Sequence, residues 1–220
     1  MRPWEILWWF LTGLFLLVQA GQLLGGGPNQ ETLVLVSELA IAGFLGLVFF
    51  FRKTIEEKTR FVNSRFWRFM LVGYVSTAIA ETLYIFSKPL HKDLFIDLAL
   101  TAPWYLLWMA LWYKAYSEHS FSLKEVFFLG GFHGFVLEGV LSGFFFANPV
   151  LALLALPLFS SIYGCFLVVP FLVLENEFKE TRKSVSTNDK IKWSLVPLLA
   201  YIPGAIWIFA LTLAFGLTLH

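Results

Sequence analysis

Seven long apolar stretches divide this chain of 220 residues. Each has the length of about 20 residues that an α-helix needs to cross a hydrocarbon core of roughly 30 Å. A helix also satisfies its own backbone hydrogen bonds, as a segment in lipid must. The pattern predicts an all-α, polytopic transmembrane bundle of seven helices in a single domain over 1–220, with helices at about 4–24, 32–51, 66–88, 94–113, 121–147, 150–174 and 193–219.

The composition agrees with a membrane location. Hydrophobic residues make up 58% of the chain and charged residues 14%, and the mean hydropathy is +0.73. A soluble domain of this size needs more polar surface than that. We therefore predict a multi-pass protein of the cell membrane, and the net charge of +1 predicts no nucleic-acid partner.

The basic residues predict the orientation of the bundle. Of the 16 Lys and Arg residues, all except Lys88 and Lys92 fall before the first helix, in the second, fourth and sixth connections, or within the first four residues of the helix that follows. Basic residues accumulate in short cytoplasmic loops. This predicts a cytoplasmic N-terminus and an outside C-terminus, and the basic loops are expected to contact anionic lipid at the cytoplasmic face.

The first apolar stretch has an alternative reading as a cleaved secretory signal. Arg2 precedes it, and Val18 and Ala20 supply small residues near its end. The stretch is longer than the 7–15 residues typical of a signal core. We favour a retained helix; cleavage would leave six spans.

Three glutamates fall at one depth in the predicted bundle. With a rise of about 1.5 Å per residue, Glu38, Glu81 and Glu138 lie on three different helices at roughly 4 to 6 Å outward of the midplane. His133 lies near the midplane, and Asp97 lies closer to the outer surface. Ionisable residues inside a membrane are costly and usually mark a cavity, a proton path or a buried pair.

The fifth predicted helix carries its acid on a row of small residues. Gly130, Gly134, Glu138 and Ser142 recur every four residues, and such rows let helix backbones approach closely in lipid. We therefore expect Glu138 to face other helices. His133 lies five residues before Glu138, an offset of about 140° on an α-helix, so the two should have different partners.

The acids and the aromatic residues near them form the candidate site for a ligand or a proton. The plainer alternative is that the glutamates are protonated or hydrogen-bonded contacts between helices. The candidates are Glu138, Glu81, Glu38, His133, Tyr84, Asp97, Trp104, Trp108, Ser142, Tyr163 and Tyr201.

Motifs for other chemistries are missing from the sequence. There is no His-Glu-x-x-His pair, no phosphate-binding glycine loop and no Gly-x-Ser-x-Gly turn. Cys165 is the single cysteine, so no disulfide framework or thiolate cluster is expected. We predict no metal site and no cofactor, and we assign no catalytic residue.

Three functions remain open at this point. The first is a small carrier or ligand-binding protein with a buried acidic cavity for a cationic or amphipathic substrate, linked to proton exchange. The second is a membrane-embedded enzyme that acts on a lipid or isoprenoid by carboxylate acid–base chemistry. The third is an accessory or assembly subunit. We favour the carrier, because the sequence shows no nucleophile or metal set.

Overall fold

The computed structural model describes residues 3–26, 30–84, 94–141, 143–178 and 186–215. Within these ranges all regular secondary structure is helical and no strand occurs, so the all-α prediction is confirmed. The α-helices are α1 (Pro3–Gly26), α2 (Gln30–Thr59), α3 (Arg65–Tyr84), α4 (Leu94–Glu118), α5 (Leu123–Gly134), α6 (Phe144–Ala147), α7 (Pro149–Leu154), α8 (Leu156–Val173), α9 (Glu175–Phe178), α10 (Thr187–Leu195) and α11 (Tyr201–Phe215).

Helix α8 forms the centre of the fold. Every residue from Ile162 to Leu174 is buried, and α8 packs against α1, α2, α3 and α5. Its sequence is apolar on all sides, as expected of a helix that other helices surround. The core of the protein is therefore built around this one helix.

Glycines allow α5 and α8 to cross closely. A Cβ atom on Gly130 would lie 3.0 Å from the Cα atom of Gly164, and one on Gly164 would lie 2.6 Å from the carbonyl oxygen of Phe127. Both contacts involve backbone atoms, which cannot move aside like the end of a flexible side chain. The close approach expected from the glycine row of the fifth predicted helix is thus present at Gly130.

The fifth predicted helix is not one continuous α-helix. It passes from α5 into a π-helix over Phe135–Leu141, and Gly143 then takes a left-handed backbone with φ of 82°, which glycine adopts without steric cost. The segment predicted as one helix over 121–147 is thus mostly helical in the described residues but changes from α to π geometry after Gly134.

Prolines interrupt the last two predicted helices. Ala155 separates α7 from α8, with Pro157 in the first turn of α8. A 3₁₀ segment at Val196–Ala200, which contains Pro197, separates α10 from α11. Proline lacks a backbone N–H and fixes its φ angle, so it fits at the start of a helix and disturbs the interior.

One end of the bundle is polar. Arg65 donates from Nη1 to the carbonyl oxygen of Glu177 at 2.8 Å, and Arg68 forms a salt bridge with the Glu177 carboxylate. Nearby, Lys190 Nζ lies 3.1 Å from Glu125. These pairs bring together residues in or next to the second, fourth and sixth predicted connections.

Two helical segments in the described part of the chain are long and apolar enough to cross a membrane, judged by length and composition alone. They are Leu94–Glu118 and Asn188–Ala214. Trp9–Gly21 and Ile162–Val173 are apolar but shorter. The seven-span count thus stays a prediction.

Candidate functional site

The structure describes most of the candidate residues. Ser142 lies outside the described residues, and so do the side chains of Glu38 and Asp97, whose backbones belong to α2 and α4. Tyr84 is half-buried at the end of α3. The remaining candidates fall into two carboxylate–tyrosine pairs, a group of aromatic rings and a histidine contact.

The first pair joins α3 to α4. The hydroxyl of Tyr105 donates to Oε1 of Glu81 at 2.5 Å. Both residues are buried, with 5% of Glu81 and 2% of Tyr105 exposed. The hydroxyl of Thr77, one turn before Glu81 on the same face, and that of Ser76 beside it donate to the backbone carbonyl of Gly73 instead.

The second pair joins the π-helix to α8. The hydroxyl of Tyr163 donates to Oε1 of Glu138 at 2.7 Å. Gly134 makes room for the tyrosine ring, because a Cβ atom there would lie 2.3 Å from Cδ2 of Tyr163. Glycine at this position therefore permits the pair to form.

Glu138 is exposed at the surface of the bundle, although its carboxylate reaches Tyr163. The bond to Tyr163 of α8 agrees with the expectation that Glu138 faces another helix, but the residue is exposed as well. The reason is the π-helix over Phe135–Leu141. Its i→i+5 hydrogen bonds widen the turn, so the 3.6-residue spacing used to place Glu138 does not hold there.

One group of rings lies between the two pairs. We call Trp104, Tyr105, Tyr163, Phe166 and Tyr201 the aromatic cluster. The ring centroid of Trp104 lies 4.0 Å from that of Tyr105, 5.1 Å from Tyr201 and 6.3 Å from Tyr163. Phe166 lies 5.9 Å from Tyr105 and 5.8 Å from Tyr163. Glu81 and Glu138 are therefore each bonded to a tyrosine of the same cluster.

His133 is fully buried and has partners on both ring nitrogens. Trp108 donates from Nε1 to Nδ1 at 2.9 Å, and Nε2 lies 2.7 Å from the carbonyl oxygen of Ser194. Because an indole N–H only donates and a carbonyl only accepts, we assign the neutral ring with its proton on Nε2. The prediction that His133 and Glu138 have different partners is confirmed.

The histidine contact connects to the aromatic cluster through two residues. Trp108 lies 5.9 Å from Trp104 between ring centroids. The hydroxyl of Tyr201 donates to the backbone carbonyl of His133 at 3.3 Å. Tyr201 and Trp108 thus hold α11 and α4 against α5 beside the cluster.

Sequence reasoning missed two partners. Tyr105 bonds Glu81, and a signal for it was present, since Tyr105 lies four residues after Thr101 on the polar side of its helix. Ser194 contacts His133 through its backbone carbonyl, which every residue has. No sequence signal marks such a contact.

In the described residues, no three or more His, Cys, Asp or Glu side chains are grouped so that they could hold a metal ion. The site offers carboxylates, phenol hydroxyls and aromatic faces. Carboxylates bind cations and exchange protons, and aromatic faces attract cations.

Comparisons with protein-family models, with curated proteins and with solved structures gave no match.

Proposed function

We propose that this chain is a multi-pass protein of the cell membrane that acts as a small carrier or ligand-binding protein for a cationic or amphipathic substrate, linked to proton exchange. The observation that carries the proposal is the placement of two carboxylate–tyrosine pairs on one aromatic cluster. Glu81 and Glu138 come from segments far apart in sequence, and each accepts a hydrogen bond from a ring of that cluster.

Exposed apolar side chains support the membrane location. Large exposed apolar patches on a protein mark contact with another surface or with lipid. They cover the outer faces of α2 and α11, where a helix in a bilayer meets acyl chains. The exposed residues there include Leu39, Leu47, Phe50, Ile202, Ile206, Phe209 and Leu213.

The polar end supports the predicted orientation. The contacts of Arg68 with Glu177 and of Lys190 with Glu125 gather three of the connections predicted to be cytoplasmic. Connections on one side of a membrane must lie at one end of the bundle. The basic residues of these connections are also suited to anionic lipid headgroups.

Glu138 is the residue best placed to meet a substrate. It is exposed, and its tyrosine partner belongs to the aromatic cluster. A carboxylate beside aromatic rings suits an organic cation, because the charge attracts the ammonium group and the ring faces add cation–π attraction. An amphipathic cation can reach this position from the apolar surface of the bundle.

Binding of radiolabelled tetraethylammonium to the purified full-length protein in detergent tests this proposal. We expect wild-type protein to bind the probe and Glu138→Gln to bind it about tenfold more weakly, since one charge-assisted contact is lost. Glu57→Gln is the matched control, because Glu57 is an exposed glutamate near the end of α2. Equal binding by all three proteins would show that Glu138 does not bind the cation.

A further inference from the structure

The two carboxylates of the candidate site differ sharply in their access to the surroundings. Glu138 is exposed at the surface of the bundle. Glu81 is 5% exposed, and its partner Tyr105 is 2% exposed. Both groups are carboxylates bonded to a tyrosine, so they differ in which ligands can make contact with them.

We propose that the two carboxylates divide the work of a proton-linked carrier: Glu138 binds the cationic group of the substrate, and Glu81 binds the proton. This inference rests on the proposed function, which it refines by giving each glutamate one ligand.

Burial limits what can reach Glu81. Tyr105 bonds the carboxylate and is itself stacked on Trp104, with 4.0 Å between ring centroids. Glu81, Tyr105 and Trp104 are each at most 5% exposed, so little of this carboxylate and its neighbours is open to contact by an organic cation. A proton needs no such space, since it moves along hydrogen bonds.

The hydroxyl of Tyr105 is suited to pass a proton, because a phenol oxygen both donates and accepts hydrogen bonds. On loading, the Tyr105 hydroxyl gives its proton to a carboxylate oxygen of Glu81, and the phenol oxygen takes a replacement proton from hydronium, which leaves as water. On release the same transfers run in reverse, so one O–H bond forms for each one that breaks. Tyr105 is neutral before and after each transfer, and aqueous protons are the only other reactant.

The groups around Glu81 are compatible with a single proton site. The elements that pack against α3 are α2, α4 and α8. The titratable residues of these helices near the depth of Glu81 are Tyr84 on α3, Tyr105 on α4, and Tyr163 and Cys165 on α8. Glu38 on α2 belongs to the same set, and its side chain lies outside the described residues.

Direct ring contacts connect the tyrosine partners of the two carboxylates. Phe166 touches both tyrosines, with centroids 5.9 Å from Tyr105 and 5.8 Å from Tyr163. A change in the hydrogen bond between Tyr105 and Glu81 therefore acts on rings that also position the partner of Glu138. Close packing transmits such shifts, since protein interiors have little free space.

Two measurements on full-length protein separate the roles. Tetraethylammonium binding in detergent reports the cation site. Uptake of the same probe into proteoliposomes, driven by a pH gradient with the membrane potential held at zero, reports the proton site. Exchange of internal for external probe without a gradient reports transport that needs no proton.

We expect Glu81→Gln to bind tetraethylammonium within about twofold of wild type and to retain exchange, because Glu138 is intact. Gradient-driven uptake should be lost, since glutamine holds no exchangeable acid proton. Glu138→Gln should bind the probe about tenfold more weakly, with exchange and driven uptake reduced together with binding, and Glu57→Gln should behave as wild type.

Tyr105→Phe keeps the test decisive if Glu81→Gln does not fold. It removes only the hydroxyl, so binding should remain while driven uptake falls about tenfold. The division of roles is wrong if Glu81→Gln, or Tyr105→Phe in its place, keeps wild-type driven uptake, or if its binding falls as far as that of Glu138→Gln. If wild-type protein neither binds nor transports the probe, the proposed function fails, and the division fails with it.

Discussion

Trp108 donates its indole N–H to Nδ1 of His133 at 2.9 Å, in a part of the protein where neither residue is exposed. The other ring nitrogen of His133 lies 2.7 Å from the carbonyl oxygen of Ser194. The imidazole thus ties α4, α5 and α10 together. A buried histidine with both nitrogens engaged serves here as a structural contact between helices.

Trp108→Phe tests this contact. The substitution leaves Nδ1 of His133 buried without its donor, and an unmet buried acceptor costs about 1–3 kcal/mol. We expect the free energy of unfolding in detergent to fall by that amount. Trp207→Phe is the matched control, because Trp207 is 40% exposed and donates to the carbonyl oxygen of Ala99. Equal losses in the two variants would contradict a special role for the histidine contact.

Gly134→Ala tests the space beneath Tyr163. The added methyl group would lie 2.3 Å from Cδ2 of the tyrosine ring, so the ring must shift from the position in which its hydroxyl bonds Glu138. We expect a loss of about 1–3 kcal/mol in stability, as in other overpacked cores, together with weaker tetraethylammonium binding.

Gly43→Ala is the control for that experiment, because a Cβ atom on Gly43 meets nothing within 4 Å. Alanine is a better helix former than glycine by up to about 1 kcal/mol, so this variant should be as stable as wild type or more so. Thermal unfolding in detergent measures both. Unchanged stability and binding in Gly134→Ala would show that the Tyr163 ring can shift without losing its contacts.

Labelling with a membrane-impermeant maleimide tests the predicted orientation. Cys165 is buried, and replacing it with alanine gives a background for single cysteines. We expect Glu57→Cys to react from the cytoplasmic side and Ala147→Cys from the outer side, since both positions are exposed. Glu57 lies in the second predicted connection, and Ala147 ends the fifth predicted helix at the opposite side. Reaction of both from the same side would overturn the seven-span topology.

Length and periodicity were enough to predict the helical fold and some of its packing. The glycine spacing around Gly130 predicted a close helix crossing, and the angle between His133 and Glu138 predicted separate partners. Both predictions depend on side-chain spacing along an α-helix, which follows directly from residue numbers.

The exposure of Glu138 and the contact to Ser194 were beyond sequence reasoning. The π-helix over Phe135–Leu141 changes the number of residues per turn, and no residue type in it signals that change. The Ser194 contact uses a backbone atom. Features that arise from backbone geometry are hard to predict from residue types.

The burial of α8 from Ile162 to Val173 has a consequence for how the chain is assembled during synthesis. Four of the helices that cover α8, namely α1, α2, α3 and α5, precede it in the chain. They leave the ribosome before the helix that fills the space between them. Until α8 arrives, these helices have an unfilled groove, and a chaperone or insertase that shields this groove would act at that stage of biogenesis.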